Sequence, residues 1–287
     1  MTARFLALLV ICGIVAALPW IVRDAMKDNG ADKLAEWSGK GLPFLKGGTP
    51  ETELLAAAST SKPVPDSGRS REVLARVRPT LAMALEEKGL TFGSPIFIRL
   101  FKESSELELW VQKTGADTFV LFRTYKICRW SGTLGPKEKE GDGQAPEGFY
   151  FVGPGRMNPQ SRYHLAFDLG YPNALDQSLR RTGSLLMVHG GCLSIGCYAM
   201  TDEGIEEIYV LAEAALKAGQ PFFRVHCFPF RMTDERMDEV EIKKEKWLDF
   251  WTELKAGYDF FEIMGRPPVV EVKGGHYQIM DTTPAPE

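Results

Sequence analysis

The stretch MVHGGCLSIGCYAM, residues 187–200, sets one histidine and two cysteines among residues that are otherwise small or apolar. A catalytic thiol with its base, a metal site, a disulfide and ordinary buried sulfur all fit that composition. The flanks narrow its structural context. Leu185 to Val188 is an apolar run that reads as a buried strand ending at His189. After the stretch, Ile205, Ile208, Tyr209, Ala212, Ala215 and Leu216 recur at helical spacing behind Asp202, a capping residue type. Lys217, Gly219 and Pro221 stop that helix. A glycine-rich loop therefore joins a strand to a helix, and the histidine is expected to emerge at a sheet edge.

Outward from this stretch the periodicity is mostly that of strands. PIFIRLF (95–101), LELWVQ (107–112), TFVLFRTY (118–125), GFYFV (148–152), YHLAFDL (163–169) and SLLMVH (184–189) are short and rich in β-branched and aromatic residues. PFFRVHCF (221–228) adds one more. Before them, Val73, Val77, Leu81 and Leu85 form a helical stripe with a break expected at Pro79. After them, Trp247, Trp251, Leu254, Tyr258 and Phe261 mark a second helical segment whose aromatic stripe reads as core packing. The fold class is mainly β with flanking helices (α+β). The organisation reads as a helical lead-in over 71–93, a main domain over 94–231, a helical C-terminal extension over 232–280 and a disordered tail over 281–287.

The N-terminus differs sharply. Phe5 to Val22 carries no charge, with Arg4 before it and Arg23, Asp24 and Lys27 after it. Residues 1–28 read as a signal peptide or a membrane anchor, and the Gly, Pro, Ser and Thr content of 29–70 reads as a linker. The expectation is an exported protein of the periplasm or cell envelope, released or tethered at its N-terminus. A net charge of −4 over 287 residues gives no basic excess for nucleic acid. In an exported chain disulfides persist, yet Cys128, Cys192, Cys197 and Cys227 are too few for a stapled framework.

Cys197 lies eight residues after His189, and Gly190, Gly191 and Gly196 let the intervening chain fold back on itself. A free thiol with a pKa near ~8.5 is a few per cent ionised at neutral pH, and an adjacent imidazole that takes its proton raises the thiolate fraction. The N–H groups of Ile195, Gly196 and Cys197 are candidates for stabilising an oxyanion.

These residues, taken with GTLGPKEKEGDGQAPEGFYFV (132–152), resemble the catalytic domain of the L,D-transpeptidase (YkuD-type) family. That family's pattern runs from a Ser-Gly turn to Thr-Pro-x-Gly-x-aromatic, then His-Gly, then Ser-His-Gly-Cys. The counterparts here are Ser131-Gly132, Ala145 to Tyr150, His189-Gly190 and Ser194 to Cys197. The resemblance spans about 95–230 and implies a β-sandwich domain acting on peptidoglycan stem peptides. It implies Cys197 as nucleophile, His189 as base, the Gly190 carbonyl as the group orienting the imidazole, and Ser194, Ile195 and Gly196 shaping the nucleophile turn. Thiol, imidazole and backbone donors suffice for that chemistry, so no metal or organic cofactor is expected. An amidase that cleaves peptidoglycan peptide or peptidoglycan–protein amide bonds, and an inactive peptidoglycan-binding module, are the alternatives.

The chain departs from the pattern at Ile195, where a second histidine is usual, and at Ala199, where an arginine is usual; its His-to-Cys loop is also shorter. Arg156, Arg180 and Arg181 are candidates to replace the missing cation, and His164 is a candidate substrate contact. The run KEKEGD, 137–142, is expected to be an exposed wall. Cys192 reads as packing or support, with a disulfide to Cys197 as a minority possibility. A zinc set drawn from His189, Cys192, Cys197, His226 and Cys227 lacks regular ligand spacing, and His226 reads as structural.

Overall fold

The computed structural model describes residues 63–281. Helix α1 (Gly68–Glu86) opens on a reciprocal cap in which the Ser67 and Ser70 side chains each accept the other's backbone N–H. It continues through Pro79. The expected break does not occur: Ala75, whose carbonyl Pro79 leaves without a donor, is exposed, so that carbonyl is open to solvent.

Strands β1 (Ile96–Phe101), β2 (Glu106–Gln112), β3 (Phe119–Lys126), β4 (Gly148–Val152) and β9 (Phe223–Phe228) form one sheet in the order β3-β2-β1-β9-β4. β1 and β9 run parallel and the other pairs antiparallel. Every residue of β1 is buried, because both faces of this sheet are covered. Ile96, Ile98, Leu100, Val225, Cys227, Tyr150 and Val152 belong to one apolar cluster, whereas Phe101, Phe149 and Phe228 belong to a second. Strand alternation sends successive side chains into these two layers.

A second sheet comprises β5 (Met157–Asn158), β6 (Ala166–Asp168), β7 (Met187–His189) and β8 (Tyr198–Ala199) in that order. Val188, Phe167 and Tyr198 pack into the first cluster with Ile205, Ile208 and Tyr209 of α3 (Asp202–Lys217). Helix α3 is capped by Thr201, whose side chain accepts the Gly204 N–H. The cap expected at Asp202 thus falls one residue earlier, and Asp202 is the helix's first residue. Between the sheets' strands lies the short helix α2 (Ala174–Ser178).

The second cluster sits under α4 (Asp234–Ile242) and α5 (Leu248–Met264), where Trp251, Leu254, Tyr258 and Phe261 are buried. Gly257 of α5 lies so close to Phe149 that a Cβ there would fall 2.5 Å from its ring. Two buried charge groups tie this layer to the sheet. Lys102 and Glu147 pair at 2.9 Å, both wholly buried, and Glu147 also accepts the indole N–H of Trp251 at 2.8 Å and the Gly135 N–H at 2.7 Å. Arg99 reaches Glu108 of β2 and Glu262 of α5. Residues 269–280 are not helical. They form the hairpin β10 (Val269–Lys273) and β11 (His276–Met280) around Gly274-Gly275. The C-terminal region is therefore a covering layer of the main sheet that closes with a hairpin. Residues 1–62, with the leader and most of the linker, and 282–287, with most of the tail, lie outside the described residues. Among the described residues no helix is long and apolar enough to cross a membrane.

Candidate active site

His189 ends β7, and Cys197 immediately precedes β8, its parallel neighbour in the second sheet. β7 pairs with β8 in parallel register, Val188 opposite Tyr198 and His189 opposite Ala199. By alternation Met187, His189, Cys197 and Ala199 face one way, and the buried Val188 and Tyr198 face the core. Asp168 and Ala166 of β6, opposite Met187 and His189, extend the same face. His189 does not emerge at a sheet edge: β7 lies between β6 and β8, and the ring is 2% exposed. The short run of strand buries it between its neighbours, with Tyr163 stacked on it at 4.7 Å.

His189 Nδ1 lies 2.6 Å from the Gly190 carbonyl oxygen. A carbonyl only accepts, so Nδ1 carries the proton and Nε2 is the basic nitrogen. Burial holds the imidazole below its ordinary range, against the opposing pull of that carbonyl. Cys197 is half-buried, and burial pushes its thiol up, against the Met187 N–H that donates to Sγ at 3.4 Å. The nearby Asp168 carboxylate pushes the same way and Lys137 opposes it. Among the described residues Sγ has no hydrogen bond to the imidazole; its partners are Met187 N–H and the Leu185 carbonyl at 3.7 Å. Burial thus favours the neutral form of each group.

The nucleophile turn is held from within. Ser194 Oγ donates to the Cys197 carbonyl at 2.7 Å, accepts the Gly196 N–H at 3.2 Å, and meets Ser131 Oγ at 3.1 Å. That last contact joins the Ser131-Gly132 turn to the Cys197 turn. Gly196 has φ +140°, a region that side-chain-bearing residues rarely adopt. Because its N–H is taken by Ser194, the expected oxyanion donors narrow to Ile195 and Cys197. Ile195 is 90% exposed, and Leu193 and Leu185 are exposed as well.

Cys192 is bonded to Cys128 at 2.05 Å, not to Cys197. Cys128 precedes Arg129, whose backbone pairs with Ala199 of β8 in both directions. The Cys192 N–H donates to the Met200 carbonyl, and the Met200 N–H to the His189 carbonyl. The loop from 190 to 197 is thus fastened at its base and at its side. This pairing was not legible in spacing, since the cysteines are 64 residues apart. Cys192 is consumed in the cross-link and His226 sits in the other sheet, ringed by Phe97, Phe149 and Phe228. Among the described residues no three histidine, cysteine or acidic side chains come together as a ligand set.

The remaining candidates separate. The guanidinium of Arg156 lies over Gly170, where a Cβ would fall 1.9 Å from it, and 3.8 Å from Asp168, at the margin of the thiol's face. Arg181 is 8% exposed and bound to Asp176 of α2 at 2.8 Å. Arg180 is exposed with φ +56°. The His164 ring is paired with Glu206 of α3 at 2.8 Å, and Glu206 also takes Arg76 at 2.6 Å. Lys137 departs from the expected exposed wall. It is buried, with its ammonium on the Lys139 carbonyl and Asp142, while 138–142 stay exposed. Asp202, which the sequence offered only as a cap, accepts the Gly191 N–H at 2.8 Å.

No family model matches the sequence. Curated relatives do. The chain is 45% identical over 200 residues, 70% of its length and 80% of theirs, to proteins named "Putative L,D-transpeptidase YafK" from Escherichia coli K12 and O157:H7. It belongs to the L,D-transpeptidase family. Among solved structures it is similar to the helical cell shape determining protein Pgp2 (K307A mutant) of Campylobacter jejuni, at 22% identity, 63% and 65% coverage and TM-score 0.39. It is also similar to Bd1075 of Bdellovibrio bacteriovorus, at 18% identity, 59% and 61% coverage and TM-score 0.34.

Proposed function

We propose that this chain is a cysteine L,D-transpeptidase of the cell envelope, acting on peptidoglycan stem peptides through a thioacyl-enzyme at Cys197. One observation carries the reading: Cys197 immediately precedes the parallel neighbour of the strand that ends at His189, whose Nδ1 is committed to the Gly190 carbonyl with Nε2 left basic. Family membership supports it, since the relatives bear the L,D-transpeptidase name.

As the sulfur attacks the carbonyl carbon of the third stem residue, its proton passes to His189 Nε2. In this reading the Ile195 and Cys197 N–H groups donate to the oxygen that becomes negative. The intermediate collapses by breaking the C–N bond, and His189 returns its proton to the departing D-amino acid. An amine of a second stem then attacks the thioester, losing its proton to His189, and the thiol re-forms with a new amide. A neutral imidazole suits this sequence, because the base must be unprotonated when the substrate arrives. Arg156 is placed to hold a substrate carboxylate at the margin of the face, a role for which Arg181, bound to Asp176, is unsuited.

The test is incubation with purified sacculi followed by separation of the muropeptides. New 3-3 cross-links that disappear with Cys197→Ala are expected. Loss of terminal D-amino acids without cross-links would make water the acceptor and the protein a hydrolase. An unchanged muropeptide profile would leave a binding module.

A further inference from the structure

We propose that Asp202 is a positioning residue for His189, acting through the peptide unit that joins Gly190 to Gly191. The inference rests on the cysteine–histidine reading above. That peptide is engaged at both ends. Its carbonyl accepts the Nδ1–H of His189 at 2.6 Å, and its N–H donates to Asp202 Oδ1 at 2.8 Å. Imidazole, peptide and carboxylate thus form one chain in which the peptide stands between the two side chains. A carboxylate on the N–H end polarises the amide toward its oxygen, strengthening the bond to Nδ1–H. It supports the imidazolium that forms when Nε2 takes the thiol proton.

The surroundings are built for this approach. A Cβ on Gly190 would fall 2.5 Å from Asp202 Oδ1, 3.0 Å from Ile205 Cγ2 and 3.1 Å from His164 Cβ, so a side chain there would push the Asp202 carboxylate aside. Gly191, at φ +82°, turns the N–H toward the helix. The Gly190 N–H is held by the Tyr163 carbonyl at 3.0 Å, fixing the preceding peptide as well. Because Thr201 caps α3, the Asp202 carboxylate is not occupied in the cap and turns back to the loop.

The test uses the full chain and two readouts that need no substrate. Imidazole 15N NMR reads the His189 tautomer, and mass-resolved reaction with iodoacetamide reads the reactivity of Cys197. Asp202→Ala should shift the tautomer from Nδ1–H toward Nε2–H and slow alkylation of Cys197 on the order of 10-fold, as losses of such supporting partners do. Asp202→Asn, whose amide oxygen still accepts from Gly191, should recover most of the rate and the tautomer. Thr201→Ala, which weakens the helix cap and leaves the peptide untouched, should lower the melting temperature but change neither readout. A wild-type tautomer and rate in Asp202→Ala would overturn the proposal, as would failure of Asp202→Asn to recover either. His189→Ala separates the two levels. If Cys197 alkylates at the wild-type rate without His189, the pairing itself fails; if it slows while Asp202→Ala does not, the peptide relay alone fails.

Discussion

Reduction of the Cys128–Cys192 disulfide should loosen both the fold and the nucleophile loop. The cysteines are 64 residues apart in sequence. Freeing a closed loop of that length returns to the unfolded chain an entropy equivalent to about 4 kcal/mol at 25 °C. For a domain of this size each kcal/mol moves the melting temperature by roughly 2–4 °C, so the loss is roughly 8–16 °C. Cys128 is exposed, so Cys128→Ser reads the cross-link without burying a hydroxyl. Thermal unfolding would be followed with and without reductant, with thiols counted by mass. The wild type should fall to the melting temperature of Cys128→Ser on reduction, and the variant should not respond. Because Cys192 also fastens the loop between His189 and Cys197, peptidoglycan turnover should fall with it. A fully reduced protein whose melting temperature drops by less than about 2 °C would refute the reasoning.

Other consequences follow from the same contacts. Glu147→Ala leaves the buried Lys102 ammonium without its counter-charge and two N–H donors without their acceptor, so calorimetry should show a loss of about 3–5 kcal/mol. Gly257→Ala drives a methyl into Phe149 and should cost about 1–3 kcal/mol by denaturant unfolding, with the muropeptide products unchanged. Burial lowers His189, so the base stays neutral at pH values where an ordinary imidazole is already protonated. The acid limb of the pH–rate profile should therefore lie below pH ~6.5, with activity falling only as pH drops through the lowered value. Arg156→Ala should raise KM for a muropeptide donor roughly 10-fold with little change in kcat.

Much of this architecture was legible before any coordinates. The short runs GFYFV and PFFRVHCF, rich in β-branched and aromatic residues, mark β4 and β9 because both strands bury side chains on two faces, and the spacing of Trp251, Leu254, Tyr258 and Phe261 marks the helix that covers them. The glycines between His189 and Cys197 announced a loop able to return on itself. What escaped was set by partners distant in sequence. β8 is two residues long and exists because β7 and Arg129 flank it, which no local pattern reveals. Lys137 looks like a solvated charge until the Asp142 carboxylate and the Lys139 carbonyl are brought to its ammonium. The hairpin at 269–280 did carry a signal, VVEVK and HYQIM around a Gly-Gly turn, that was absorbed into the helical reading before it. Thr201 and Asp202 are adjacent residues of capping type, and local pattern does not choose between them or reveal the carboxylate's approach to Gly191.

Acid-quenched mass spectrometry on a disaccharide tetrapeptide donor gives the most direct test of the central claim. During turnover the peptide containing Cys197 should gain the mass of the donor less its terminal D-amino acid, and the gain should vanish in Cys197→Ala and fall sharply in His189→Ala. Donor turnover that proceeds without label on Cys197, or that survives Cys197→Ala, would contradict the account.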